Sequence, residues 1–287
     1  MFENATVDAT LHSVSIHERS GRLLVAEGEL LPMRVAIQAL GLAVVLTAAL
    51  AGAAQAGPFT CRETQIVRAT DKLAALSPRI AAGGKIEILA IGSSSTEGIG
   101  ASAKDKTYPA RLQALLGAAW PRVQINITNA GIGGEIAPQT LARLKQAVTG
   151  KRYDLVIWQV GTNDAVTGGD LAAFKAMVED GVSIVKTAGT SLALLDPQFF
   201  PGIREPARYR SYVDAIGEVA KGQNVPVFTR YDTMREWHGT DAQAFTAALA
   251  PDSFHMSDAG YDCLARDMAT GLVSLTTAGR PVMAQSK

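Results

Sequence analysis

The sequence predicts an α/β fold: a three-layer αβα sandwich around a five-stranded parallel sheet in the flavodoxin-like order 2-1-3-4-5. Two observations predict it. From residue 85 onward, short apolar runs alternate with segments of helical periodicity, the signature of βα units. Polar, glycine-rich turns also fall directly after the runs, where open parallel sheets place their ligand crevice. Five strands wound in the simplest way give the order stated.

The strands follow from the runs. Residues 86–91 form the first, 123–127 the second, 155–160 the third, 191–195 the fourth and 225–229 the fifth. Each is short, rich in Ile, Val and Leu, and bounded by turn formers. Residues 77–84 read as a surface connection and 276–287 as a frayed tail.

The helices follow from three- and four-residue spacing. Tyr108, Leu112, Leu115 and Leu116 form one stripe behind Thr107 as N-cap, and Ala137, Leu141, Leu144 and Val148 a second. Asp170 caps a third stripe of Leu171, Phe174, Val178, Val182 and Val185. Pro206 suits the first turn of a helix carrying Tyr209, Val213, Ile216 and Ala220. Ser257 opens the last helix, with Tyr261, Leu264, Met268 and Leu272 on its core face.

The chain has 287 residues, 47% of them hydrophobic and 19% charged, enough for one domain with a substantial core. Formal net charge is +0 and no long basic run occurs, so the footprint of a nucleic-acid binder is missing. A small neutral substrate fits better. Met33-Arg34 precedes an apolar run over residues 35–51, and Ala54-Gln55-Ala56 ends a small-residue stretch of the kind signal peptidase cuts. Residues 1–56 are therefore expected to be an N-terminal extension and signal peptide, with Met33 as the true start and cleavage after Ala56. Residues 57–287 form the single domain. This makes the protein exported, periplasmic or secreted, with no stable membrane span after cleavage; the competing reading of the run is a retained anchor. Cys61 and Cys263, the two cysteines of the chain, form a candidate disulfide in an exported protein. No cofactor or metal is implied, since no Cys-x-x-Cys spacing occurs and histidines are few.

Residues following the first three strands carry chemistry. They are Gly92-Ser93-Ser94-Ser95-Thr96-Glu97-Gly98, Asn129-Ala130-Gly131-Ile132-Gly133-Gly134-Glu135 and Gly161-Thr162-Asn163-Asp164. In the order 2-1-3 these turns are neighbours, so a serine hydroxyl, a glycine N–H and an asparagine amide converge. Acyl transfer requires that set: a hydroxyl to attack a carbonyl, and preorganised donors where negative charge develops. Of the four histidines, His12 and His17 fall in the expected leader, leaving His238 and His255. His255 stands three residues after Asp252, a spacing that lets the carboxylate accept from one ring nitrogen while the other faces the serine. His238 has no comparable neighbour and reads as a surface or loop residue.

These segments, in their order along the chain, resemble the sequence blocks of the SGNH hydrolase superfamily, the GDSL esterases and lipases. The resemblance covers roughly residues 85–275. It implies Ser94 as nucleophile, Asp252 and His255 as the other triad members, and the Ser94 N–H, the Gly134 N–H and the Asn163 amide as the oxyanion hole. The first block departs from the pattern: Ser93 stands where the family usually has aspartate, and Ser95 where it has leucine.

The expected function is that of an exported serine esterase acting on a small-molecule or glycan ester, with short acyl groups such as O-acetyl foremost. Lysophospholipase- or thioesterase-like activity, acyl transfer on the same triad, and a non-catalytic carbohydrate-binding module are the alternatives. A phosphate-binding loop is disfavoured because residues 92–100 lack the Gly-x-Gly-x-x-Gly and Gly-Lys-Ser/Thr spacings. The loop over residues 196–202, together with Tyr231 and Trp237, is expected either to line an acyl or sugar pocket or simply to pack.

Overall fold

Each of the five apolar runs forms a strand in the computed structural model, which describes residues 59–61, 67–68, 73 and 75–277. The strands are β2 (Gly84–Gly92), β3 (Val123–Gly131), β4 (Leu155–Gln159), β5 (Ser191–Leu195) and β6 (Val227–Phe228). They are parallel and adjacent in the order β3-β2-β4-β5-β6, the expected winding. A sixth strand, β1 (Val67–Arg68), adds antiparallel to β6 at the edge. Two residues leave no periodicity to read, so among the described residues one antiparallel edge strand adds to the five parallel strands that the sequence predicts. The expected leader, residues 1–56, lies outside the described residues.

The α-helices among the described residues are α1 (Leu76–Ala82), α2 (Ser94–Glu97), α3 (Tyr108–Ala119), α4 (Ala137–Gly150), α5 (Thr162–Thr167), α6 (Leu171–Thr187), α7 (Pro206–Gly222), α8 (Arg230–Thr240), α9 (Ala242–Phe245) and α10 (Asp258–Thr276). Alternate strand residues point to opposite faces, and the core divides accordingly. Ile86, Ile88, Leu155, Ile157, Ala193, Leu195 and Phe228 meet apolar residues of α1, α3, α8, α9 and α10. Leu89, Ile91, Val156, Trp158, Leu192, Leu194 and Val227 meet those of α4, α6 and α7. A strand buried on both faces has no polar stripe to show, which is why these runs are continuous in sequence. Each fully buried Leu, Ile or Val contributes about 1.5–3 kcal/mol relative to exposure.

Capping follows local chemistry in two of three cases. Asp170 accepts from the Ala173 N–H (2.9 Å), and Ser257 Oγ from the Gly260 N–H (3.3 Å). Thr107 occupies the N-cap position of α3 but turns its hydroxyl back to donate to Lys104 O (3.0 Å), so it makes no cap bond. The segment expected as a surface connection over residues 77–84 contains most of α1 and the first residue of β2. Pro78 is the third residue of that helix, where the amide it lacks would have no helical acceptor. Cys61 and Cys263 are joined, with Cα atoms 5.3 Å apart, fastening the chain ahead of β1 to α10.

Candidate active site

The register of the sheet decides where the polar turns meet. Gly92, the last residue of β2, pairs with Gly131, the last of β3, while Ile91 pairs with Trp158 one residue before the end of β4. The residues that follow these strands therefore emerge side by side at one edge of the sheet. Gly131 has to be glycine for this approach: a Cβ there would lie 1.9 Å from the Glu97 N.

Ser94 begins α2 and is 7% exposed. Its Oγ lies 2.9 Å from His255 Nε2, across 161 residues of sequence. Nδ1 of the same ring lies 2.6 Å from Asp252 Oδ2. The other Asp252 oxygen accepts from the Phe254 N–H (3.0 Å) and the His255 N–H (2.9 Å). Burial pushes the Asp252 carboxyl up, but the His255 ring and these two N–H groups outweigh it and hold the group below the usual aspartate range. Ser253, at φ +57°, makes the tight turn that lets Asp252 reach back to His255. Ala250 N–H, donating to His255 O (2.8 Å), closes the same loop.

The glycine-rich turn after β3 lies against Ser94, with a Cβ position at Gly133 only 3.8 Å from that of Ser94. Gly133 N–H donates to Glu97 Oε2 (2.6 Å). Gly134 follows at φ +79°, where side chains other than glycine are strained, and a Cβ there would meet open space. Asn163, on α5 after β4, donates from Nδ2 to Glu135 O (2.8 Å). Its amide has a second hydrogen to give. Arg143 of α4 fixes this turn from behind. Its guanidinium grips Glu135 through Nε (2.9 and 3.0 Å) and Nη2 (2.5 Å), and reaches Ala130 O (2.8 Å) and Gly92 O (3.2 Å).

Residues 60–277 match the non-GDSL lipase-like family. The chain belongs to that family. This lipase-like chain is also similar to an acetylxylan esterase of Geobacillus stearothermophilus, 29% identical over an alignment of 170 residues, with 55% of this chain and 77% of the relative covered. Among solved structures, a two-domain esterase active on acetylated mannans has a TM-score of 0.62 at 22% identity, over 78% of this chain and 58% of that one. The chain thus spans little more than half the length of that two-domain protein. A lipase/acylhydrolase from Enterococcus faecalis has a TM-score of 0.55 at 24% identity, over 66% of this chain and 96% of its own.

The structure of this lipase-like chain also accounts for the two unusual serines beside Ser94. Ser93 donates from its N–H (2.8 Å) and its hydroxyl (3.1 Å) to Gln159 Oε1, which also accepts from Thr96 Oγ1 (3.2 Å). A carboxylate at position 93 would face that amide oxygen with no proton to share. Ser95 donates to Gln198 Oε1 (2.7 Å). Gln159 and Gln198 are both buried; the sequence reading does not place Gln159 at the site, and it includes Gln198 only within the loop over residues 196–202. Gln159 carries a readable signal, an amide inside the apolar run of β4; Gln198 lies in a loop where glutamine is unremarkable.

The aromatic residues named from sequence separate. Tyr231 and Trp237 are buried and pack in the core, as does Phe199 against the rings of Tyr231 and Phe245. Phe200 instead lines a cleft of about 510 Å³ with Phe254, Val166, Ile203, Arg204 and Arg208. Phe254 stands edge-on to both Phe200 and His255, with ring centroids 4.7 Å apart in each pair, so the cleft adjoins the imidazole. His238 is partly buried on α8 between the rings of Phe199 and Phe245, a packing position. Among the described residues, no three His, Cys, Asp or Glu side chains cluster as metal ligands.

Proposed function

We propose that the protein is a serine esterase that removes short acyl groups, O-acetyl foremost, from carbohydrates. The observation that carries the reading is the unbroken contact from Ser94 Oγ through the His255 ring to Asp252, beside the Gly134 turn and the Asn163 amide. Ser94 Oγ attacks the ester carbonyl carbon as its proton passes to His255 Nε2, and the Asp252 carboxylate balances the imidazolium. The carbonyl oxygen, now negative, is met by the Ser94 and Gly134 N–H groups and by the second hydrogen of the Asn163 amide. Collapse expels the alcohol, which takes the proton from His255 and leaves an acyl group on Ser94. Water, deprotonated by His255, then attacks that acyl carbon and releases the carboxylic acid with the serine restored.

The names of the acetylxylan and acetylated-mannan esterases support the carbohydrate assignment. The cleft beside His255 supports it further, since it offers two phenyl rings and two arginines to the alcohol portion of a substrate. Fluorophosphonate labelling tests the nucleophile: Ser94→Ala abolishes the label, and an unchanged label overturns the assignment. A chain-length series of p-nitrophenyl esters beside acetylated xylan and mannan tests the substrate. Preference for octanoate and longer esters would overturn the short-acyl reading. We further propose export with cleavage after Ala56, supported by the apolar run over residues 35–51 and by the Cys61–Cys263 bridge. A mature N-terminus at Gly57 in protein recovered outside the cytoplasm is the expected result, and a retained leader would refute it.

A further inference from the structure

Ser94 and His255 must meet at hydrogen-bond distance although they come from opposite ends of the domain, one at the end of a central strand and one in a loop before α10. Their immediate neighbours in sequence, Ser95 and Phe254, are joined by one side chain. Gln198, fully buried in the loop after β5, accepts from Ser95 Oγ (2.7 Å) through Oε1 and donates from Nε2 to Phe254 O (2.6 Å). The orientation of its amide follows from chemistry, because a backbone carbonyl can only accept and must face the NH₂ group. Gln198 is itself fixed, its own carbonyl oxygen accepting from the buried Tyr209 hydroxyl (2.7 Å).

We propose that Gln198 is a positioning residue that sets the approach of Ser94 to His255 by bridging the two segments that carry them; this rests on the esterase reading above. The bridge needs an acceptor and a donor on adjacent atoms at this reach. Glutamine supplies both. Leucine fills similar space and leaves the Phe254 carbonyl without the amide. Glutamate still accepts from Ser95 but, when ionised, sets a carboxylate against the Phe254 carbonyl. The other flank of the histidine loop is held separately: Tyr261 Oη donates to Ile99 O (2.7 Å), and Ser102 gives two hydrogen bonds to Asp258 (2.8 and 2.5 Å). Gln198 therefore governs the side of the loop that precedes His255. It also gives Ser95 a function that leucine at that position could not perform.

The test uses the purified full-length chain, p-nitrophenyl acetate hydrolysis and the rate of fluorophosphonate labelling. Gln198→Leu is expected to lower kcat by about 10- to 100-fold with KM within about twofold, and to slow labelling in parallel, because small displacements of reacting groups are costly. Ser95→Ala is expected to lose less, and Ser95→Ala/Gln198→Leu to lose no more than Gln198→Leu alone, since the shared bond is already gone. Gln198→Glu gives a pH signature. Protonated, the carboxylic acid both accepts and donates, so the ratio of variant to wild-type kcat rises as pH falls; a purely structural defect leaves that ratio flat. This arm also decides the matter if Gln198→Leu fails to fold by circular dichroism. A folded Gln198→Leu with wild-type kcat, fully additive losses in the double variant, or a Gln198→Glu ratio that is both well below one and independent of pH would each overturn the proposal. Wild-type labelling at Ser94 is the control: its absence sinks the esterase reading and this one together, whereas wild-type labelling rates in Gln198→Leu sink this one alone.

Discussion

The two halves of the site are built in different ways. Ser94, the Gly134 turn and Asn163 follow β2, β3 and β4, three adjacent strands whose ends are set by the sheet register and backed by Gln159 and Arg143. Asp252 and His255 belong to no strand or helix. They lie in a turn before α10, where the Asp252 side chain is 48% exposed and the His255 side chain 16%. One half is positioned by long-range order and the other by a four-residue turn tethered at its edges. In the first, a side chain can be lost while the backbone donors stay in place. In the second, each contact is local and close to the proton it would control.

Three perturbations break or sharpen that contrast. Asp252→Asn should have the largest effect, lowering kcat for p-nitrophenyl acetate by about 10⁴-fold, because an amide cannot hold the His255 tautomer or balance its charge. A loss below tenfold would show that the turn does not direct the imidazole. Asn163→Ala acts in the sheet-anchored half, where the Ser94 and Gly134 N–H groups remain. A fall in kcat of about 10²- to 10³-fold with little change in KM is expected, and a normal kcat would remove Asn163 from the oxyanion site. Glu87→Gln, at the amino end of β2, should change stability alone. Hydrogen bonds from Lys151, Lys85 and Asn126 hold the Glu87 carboxyl at about 2, from an ordinary 4.5. Its folded-state value is depressed, so its stabilisation is complete above about pH 4.5 and lost as pH falls from there toward 2. Wild type should therefore melt above the variant at pH 6, with the gap in Tm narrowing by pH 3 and kcat equal throughout. A constant gap would remove Glu87 from the acid response.

The same contrast governs what could be read from sequence. β2, β4 and β5 announce themselves because burial on both faces demands uninterrupted apolar residues, and the turns after β2, β3 and β4 because glycine and small polar residues are needed where backbones converge. Asp252 and His255 are legible for the opposite reason: their contact is local, so three-residue spacing contains it. The contacts made by Gln159, Gln198 and Arg143 are not legible. Each joins groups distant in sequence through an ordinary amide or guanidinium, and only the assembled sheet reveals their partners. β1 and α1 escape notice through brevity: two residues define no alternation, and a seven-residue helix containing Pro78 lacks a stripe long enough to outweigh it.

The bridge between Cys61 and Cys263 encloses nearly the whole domain, with 202 residues separating its ends. Cross-linking over so wide a span restricts the denatured chain by about 5 kcal/mol on the entropic account, a sum comparable to the entire net stability of many domains. Synthesis runs from the amino end, so this lock cannot shut until position 263 has left the ribosome. A thiol-rich medium would deprive the finished protein of that margin and leave it open to proteases and heat, with every other contact still present.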